Sequence, residues 1–350
     1  MAIVTAVVVL AVVYPLIDSN ASHVSSAADA GVFVLLALGL NIVVGYAGLL
    51  DLGYAAFFAI GSYSYGFLAS PHLGIHLPFW LMLPLAGIFA GMFGIILGAP
   101  TLRLRGDYLA IVTLGFGEIV PVMFLNADKY TNGPNGINSL DPPFLGPYNF
   151  GHNPLPYYFV TLGLIAISVV AIRRLRDSPL GRAWIAIRED EVAAAAMGID
   201  TVKVKLFAFA IGASFSGIGG VVYSSKLGLV TPDNFRFTTS AFILSMVVLG
   251  GMGNIPGVIL GAVILFELQS LILVQLTQWS HQLGALTHIA VFNELDFVNL
   301  KFLLYGLALV LMMLFRPEGL LPSARRAQEL HATPEMAAAE SQELAEAQTA

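Results

Sequence analysis

Residues 181–198 read GRAWIAIREDEVAAAAMG, the longest polar interruption in an otherwise apolar chain. They follow the basic cluster Arg173, Arg174 and Arg176. Ala193 to Ala196 are strong helix formers, so a short helix is predicted there. Glu189, Asp190 and Glu191 stand near its start, where the helix dipole favours negative charge, and Gly198 is placed to end it. A soluble helix lodged between membrane spans is either a plain connector or a docking element for a partner's groove.

Composition explains why spans are expected around it. Apolar residues make up 57% of the 350 residues and charged residues 11%, against roughly 45–50% and about 25% in soluble domains. Mean hydropathy is +0.81. The chain therefore reads as an all-α integral membrane protein. With no cysteine, disulfides, thiolate metal sites and cysteine nucleophiles are excluded. The net charge of −6 is uneven: beyond residue 324, five glutamates face Arg325 and Arg326. Residues 324–350 thus read as an acidic, disordered cytoplasmic tail. Nothing supports nucleic-acid binding.

Outward from the polar stretch, apolar runs are read at 2–17, 30–45, 79–99, 108–125, 157–172, 204–223, 239–249, 255–274 and 300–315. With the stretch 46–68 they give about eight to ten transmembrane helices. Asp18–Asp29 and 275–299 read as loops. Residues 126–156 are rich in Gly, Pro and Asn and form a long external loop whose aromatics suit an interfacial surface. Of sixteen lysines and arginines, twelve fall on one side of this arrangement, Arg103 and Arg105 among them, and Lys129, Lys226, Arg236 and Lys301 on the other. The positive-inside rule then places the polar helix (about 177–203) and both termini in the cytoplasm.

Two stretches interrupt the spans with glycine. The first, GYAGLLDLG, carries Gly45, Gly48, Asp51 and Gly53; the second, LGGMGNIPG, carries Gly250, Gly251 and Gly253. Glycine at this density either lets helices pack closely or lets a helix unwind beside a pathway. Asp51 is either a solvated cap or a functional intramembrane carboxylate. The span 108–125 adds Thr113, Gly115 and Glu118, the last a structural ion-pair partner or a pathway group.

Enzyme motifs are missing. No histidine is followed by glutamate, so there is no HExxH zinc site, and no lysine is followed by Ser or Thr, so there is no Walker A loop. His72 and His76 have metal-ligand spacing but sit among Pro71, Gly74 and Pro78, which marks a turn. GASFSG lacks the second glycine of a nucleophile elbow, because position 216 is serine.

Between residues 30 and 322 the chain resembles the LivM-type permease subunits of branched-chain amino-acid ABC importers. The resemblance is carried by GYAGLLDLGYAAFFAIGSY (45–63), LRLRGDYLAIVTLGFGEI (102–119), TNGPNGI (131–137), SPLGRAWIAIREDEVAAAAMGID (178–200), LFAFAIGASFSGIGG (206–220), VVLGGMGNIPGVILGA (247–262) and LMMLFRPEGLLPS (311–323). It implies that residues 1–323 form a permease domain in a bacterial or archaeal inner membrane. It implies further a second, LivH-type permease, two LivG/LivF-type ATPases that bind ATP and Mg, and an extracytoplasmic binding protein. The polar helix then resembles the coupling loop EAAxxxG. Ala193, Ala194 and Gly198 keep the spacing, with Val192 and Glu191 before them, and Arg188–Gly198 is expected to transmit motion. Gly45, Gly48, Asp51, Gly53, Thr113, Gly115, Glu118, Gly250, Gly251 and Gly253 are expected near the pathway. A urea or short-amide permease of the same family is the alternative substrate reading. An ion-driven secondary transporter is the competing class, and it leaves the cytoplasmic helix unexplained.

Overall fold

The computed structural model describes residues 11–18, 20–102, 107–151, 153–287, 296–316 and 318–321. Arg103, Arg105, most of the first apolar run and the whole acidic tail lie outside them. Helices account for about three quarters of the described chain. Apart from a single turn at Asp128–Thr131 they include α1 (Ala21–Leu40), α2 (Tyr54–Leu68), α3 (Phe79–Thr101), α4 (Asp107–Asn126), α5 (Pro154–Arg176), α6 (Pro179–Glu189), α7 (Glu191–Ala196), α8 (Thr201–Leu227), α9 (Phe237–Gly250), α10 (Ile255–Glu267), α11 (Leu273–Thr287) and α12 (Lys301–Phe315). Two π-helical segments extend α1 through Asn41–Tyr46 and join α10 to α11 through Leu268–Ile272.

Six of these stretches are long and apolar enough to cross a membrane, and α9 and part of α12 are shorter apolar helices. Every apolar run read from the sequence within the described residues is helical. Two expectations need correction. Residues 21–29, read as loop, begin α1, because the Asn20 side chain accepts from Ser22 N–H and starts the helix at Ala21. The polar residues that suggested a loop have partners on neighbouring helices: Asp29 pairs with Lys226 at 2.6 Å, and Ser26 donates to Glu267 at 2.8 Å. The span after the second glycine break does not stop at 274 either; it runs through the π-segment to Thr287.

The bundle is built around α1. Its span is 83% buried, against 28% for α4 and α5, so α1 is central and the other two peripheral. Helix α8 packs on α3, α2 and α1, and glycine permits the approach. A Cβ on Gly217 would stand 2.5 Å from Ala86 O, and one on Gly61 2.3 Å from Gly217 O. Fully buried Tyr54 bridges the same helices, donating to Gly212 O at 2.9 Å. In membrane helices such small-residue contacts do the work that apolar burial does in water.

At one end of the bundle, loop 126–153 is tied to its neighbours by an antiparallel pairing of Ile137–Asn138 with Leu229–Val230. His76 joins it by a 2.6 Å contact with Asp141. The opposite end carries α6, α7, the turn at 251–254 and residues 316–321. Among the described basic residues, Arg173, Arg174, Arg176, Arg182, Arg188, Lys203, Lys205 and Arg316 lie at this second end.

Candidate functional site

The polar stretch forms two helices rather than one. Ser178 caps α6, accepting from Gly181 N–H, and Pro179 begins it. Asp190 breaks from α6 in an extended conformation and caps α7, its Oδ1 accepting from Val192 N–H at 2.8 Å and Ala193 N–H at 3.0 Å. Gly198, at φ +86°, closes α7, and Ile199 N–H reaches back to Ala194 O at 3.1 Å. The predicted start and stop signals therefore hold for α7. The break at Asp190 was not expected.

This unit is held on the bundle by its inward side. Trp184 is fully buried and donates from Nε1 to Val204 O at 2.7 Å. Glu191 pairs at 2.5 Å with Lys205, whose side chain is 5% exposed. Ala194 is also buried, whereas Val192, Ala193, Ala195, Ala196 and Met197 face outward with Glu189 and Asp190. Of the predicted docking residues, Ala194 and Glu191 thus hold the unit on its own chain.

Arg188 connects the unit to both glycine breaks. From the end of α6 its Nη1 donates to Gly45 O. Its aliphatic stem lies over Gly48, at φ +69°, where a Cβ would come within 2.8 Å of Arg188 Cγ. Its guanidinium lies against Gly253, where a Cβ would stand 3.5 Å from Nη1. The breaks also meet directly. Asn41 Oδ1 accepts from Gly253 N–H at 2.8 Å, and a Cβ on Gly45 would lie 2.7 Å from Gly253 N. Gly251 (φ +112°) and Gly250 continue the second break. There the chain turns against residues 319–321, with Leu320 N–H donating to Leu249 O at 2.8 Å.

The rest of the first break makes a second locus. Residues 47–53 are unwound. Asp51 is 1% exposed; one of its oxygens accepts from Gly53 N–H at 2.9 Å, and the other has no partner among the described residues. Thr113 accepts from Leu52 N–H at 3.1 Å. A small cavity lies between them, walled by Phe57, Thr101, Phe116 and Phe209. Gly53 touches α4 directly, since its Cβ would fall 2.0 Å from Thr113 O. The two readings left open for the glycine stretch are therefore both present: unwinding at 47–53 and close packing at Gly53 and Gly61.

Glu118 is apart from this locus. It is exposed on α4, as is open space beside Gly115, and its Oε1 accepts from Phe237 N–H at 3.3 Å. Sequence reading missed Asn41, Trp184 and Lys205. Asn41 is a lone amide inside an apolar run, and Lys205 a lone cation at the start of a span, and those isolated polar positions were the available signal.

Residues 22–313 match the family model described as branched-chain amino acid transport system / permease component. The chain belongs to this family. It is 41% identical over 342 residues to the high-affinity branched-chain amino acid transport system permease protein LivM of Salmonella typhimurium, covering 91% of this chain and 74% of that protein. The corresponding LivM of Escherichia coli K12 gives the same figures. The LivH permease protein of the same Escherichia coli strain is 25% identical over 67% of this chain and 79% of its own. No solved structure matches the chain. Within this permease family the chain is thus nearer to the LivM than to the LivH relative.

Proposed function

We propose that this chain is one of two pathway-forming permease subunits of an ATP-binding-cassette importer for branched-chain amino acids, residues 1–323 being its permease domain. The second subunit is a LivH-type permease, as the paired names of the LivM and LivH relatives suggest. Two ATPase subunits that bind ATP and Mg dock on α6–α7, and an extracytoplasmic protein delivers the amino acid. The end with α6–α7 and both termini face the cytoplasm of a bacterial or archaeal cell, following the distribution of basic residues. Residues 126–156 face outward.

The observation that carries this reading is the Arg188 bridge. An outward-facing docking unit, held on α8, hydrogen-bonds the backbone of the first interrupted helix and lies beside Gly253 of the second break through one side chain. A partner that moves α6–α7 therefore moves the junction of the breaks, which is what alternating access driven from outside the chain requires. A secondary transporter would not need such a handle.

Uptake of radiolabelled leucine and urea, measured with and without the ATPase, second-permease and binding-protein partners, tests the reading. ATP-dependent leucine uptake only with the full set supports it. Urea uptake alone would reassign the substrate, and uptake by this chain by itself, abolished by an uncoupler, would replace the importer with an ion-driven carrier.

A further inference from the structure

The docking unit and the glycine breaks leave a charged feature on α4 unused. Glu118 is the eleventh residue of the nineteen-residue span Tyr108–Asn126, about 15 Å of helix from one end and about 12 Å from the other. It is exposed, on a face whose neighbours Ile111, Ile119 and Val122 are 65%, 60% and 49% exposed. The hydrogen bond from Phe237 N–H brings the start of α9 to the same depth. The length of α9 agrees: its fourteen residues span about 21 Å of a hydrocarbon core about 30 Å thick. The turn before it presents Asp233 and Arg236, paired at 2.6 Å with side chains 66% and 61% exposed. Beneath this turn, Tyr63 packs on Phe235 at 6.1 Å between ring centroids, and its buried hydroxyl has no hydrogen-bond partner among the described residues.

Three ionisable side chains stand here exposed on their own chain, and charge at this depth is costly against hydrocarbon. Asp233 engages only two guanidinium nitrogens of Arg236, Nε and Nη2. Glu118 stands near enough to interact electrostatically with the same guanidinium, so an acidic and a basic side chain are presented together. We propose that Glu118 and Arg236 form a binding site for the zwitterionic head of an α-amino acid at the pathway between the two permeases. The ammonium is held by Glu118 and the carboxylate by the remaining donors of Arg236. The aliphatic side chain then lies against Ile119 and Val122, within about 6 Å of Glu118 along α4. A free amino acid carries both charges together, and this is where the described surface offers a matching pair at mid-depth. The inference rests on the importer reading.

The absence of cysteine gives a clean test in the complete importer reconstituted in proteoliposomes. Gly115→Cys puts one thiol in this chain a turn from Glu118, where a Cβ meets nothing within 4 Å. The thiol is expected to react with a cationic, membrane-impermeant methanethiosulfonate, and leucine with its binding protein should slow that reaction. Glu118→Gln keeps an acceptor for Phe237 N–H but removes the charge. Leucine uptake should fall about tenfold or more, as for loss of a hydrogen bond to a charged group, while the partners still co-purify. Arg236→Gln should do the same and Arg236→Lys should restore part of the rate. An unreactive thiol, or full uptake by Glu118→Gln, overturns the site. So does loss of the second permease from Glu118→Gln, which would make Glu118 an interface charge. If the unmodified complex takes up no leucine with ATP, the importer reading itself falls, an outcome distinct from the others.

Discussion

Arg188 donates a hydrogen bond to the carbonyl of Gly45, 143 residues away, from the end of the helix that faces the proposed ATPases. The contact ties a peptide group in an interrupted membrane helix to a side chain on the α6–α7 unit, the proposed docking element. Arg188→Ala should leave the complex assembled but raise the ATP hydrolysed per leucine imported by about tenfold, the scale of one charge-assisted hydrogen bond. Arg188→Lys keeps the charge and loses the fork, so its ratio should lie between. Coupled ATPase and uptake measurements on proteoliposomes decide the matter; an unchanged ratio in Arg188→Ala would remove the bridge from the mechanism.

Lys205 is held almost fully buried against half-exposed Glu191. Removing the carboxylate leaves a buried cation unpaired. Glu191→Gln should lower the stability of the α6–α7 attachment by about 1–2 kcal/mol, less than for a fully buried pair because solvent screens Glu191. Lys205→Met removes the cation and should recover most of that loss in the double variant. Thermal unfolding in detergent reads the cycle, and additive single effects would show that the pair is not coupled.

The outward residues of α7 and the inward Ala194 should separate docking from folding. Met197, 84% exposed, and Val192, 69% exposed, should each abolish ATPase co-purification when changed to Asp, with no loss of thermal stability. Ala194→Arg, by contrast, forces a charge into a buried position and should lower stability by several kcal/mol. Should Val192→Asp and Met197→Asp retain the ATPases, the docking face lies elsewhere.

Gly53→Ala should be severe, since the added methyl would enter the carbonyl oxygen of Thr113 and backbone cannot yield as a side chain can. Overpacking of this kind costs about 1–3 kcal/mol or more. Gly163 on α5 has open space around it, and Gly163→Ala should be neutral or stabilising by up to about 1 kcal/mol. Melting temperatures of the two variants in one detergent give the comparison, and equal values would refute the packing account of Gly53.

Much of the fold is legible in the sequence because hydropathy is summed along the chain. The apolar runs, the polar α7 with its acidic start and Gly198 stop, and the two glycine interruptions all follow from local chemistry. The errors share a cause. Ser26 and Asp29 looked like loop residues because their partners, Glu267 and Lys226, are remote in sequence. Ala194 looked like a docking contact because spacing alone does not tell the inward side of a one-turn helix from its outward side.

The residues by themselves determined an all-α membrane chain, its apolar segments, the polar helix between them and the resemblance to a permease family. Only the tertiary structure decided that the two breaks meet, through Asn41 and Gly253, 212 residues apart, and that Arg188 reaches both. It also decided that Glu118 is exposed rather than gathered with Asp51 and Thr113. Membrane insertion depends on composition over one span, which any window of sequence contains. Which backbones touch depends on how whole helices cross, and that is settled by glycine contacts between segments far apart in the chain.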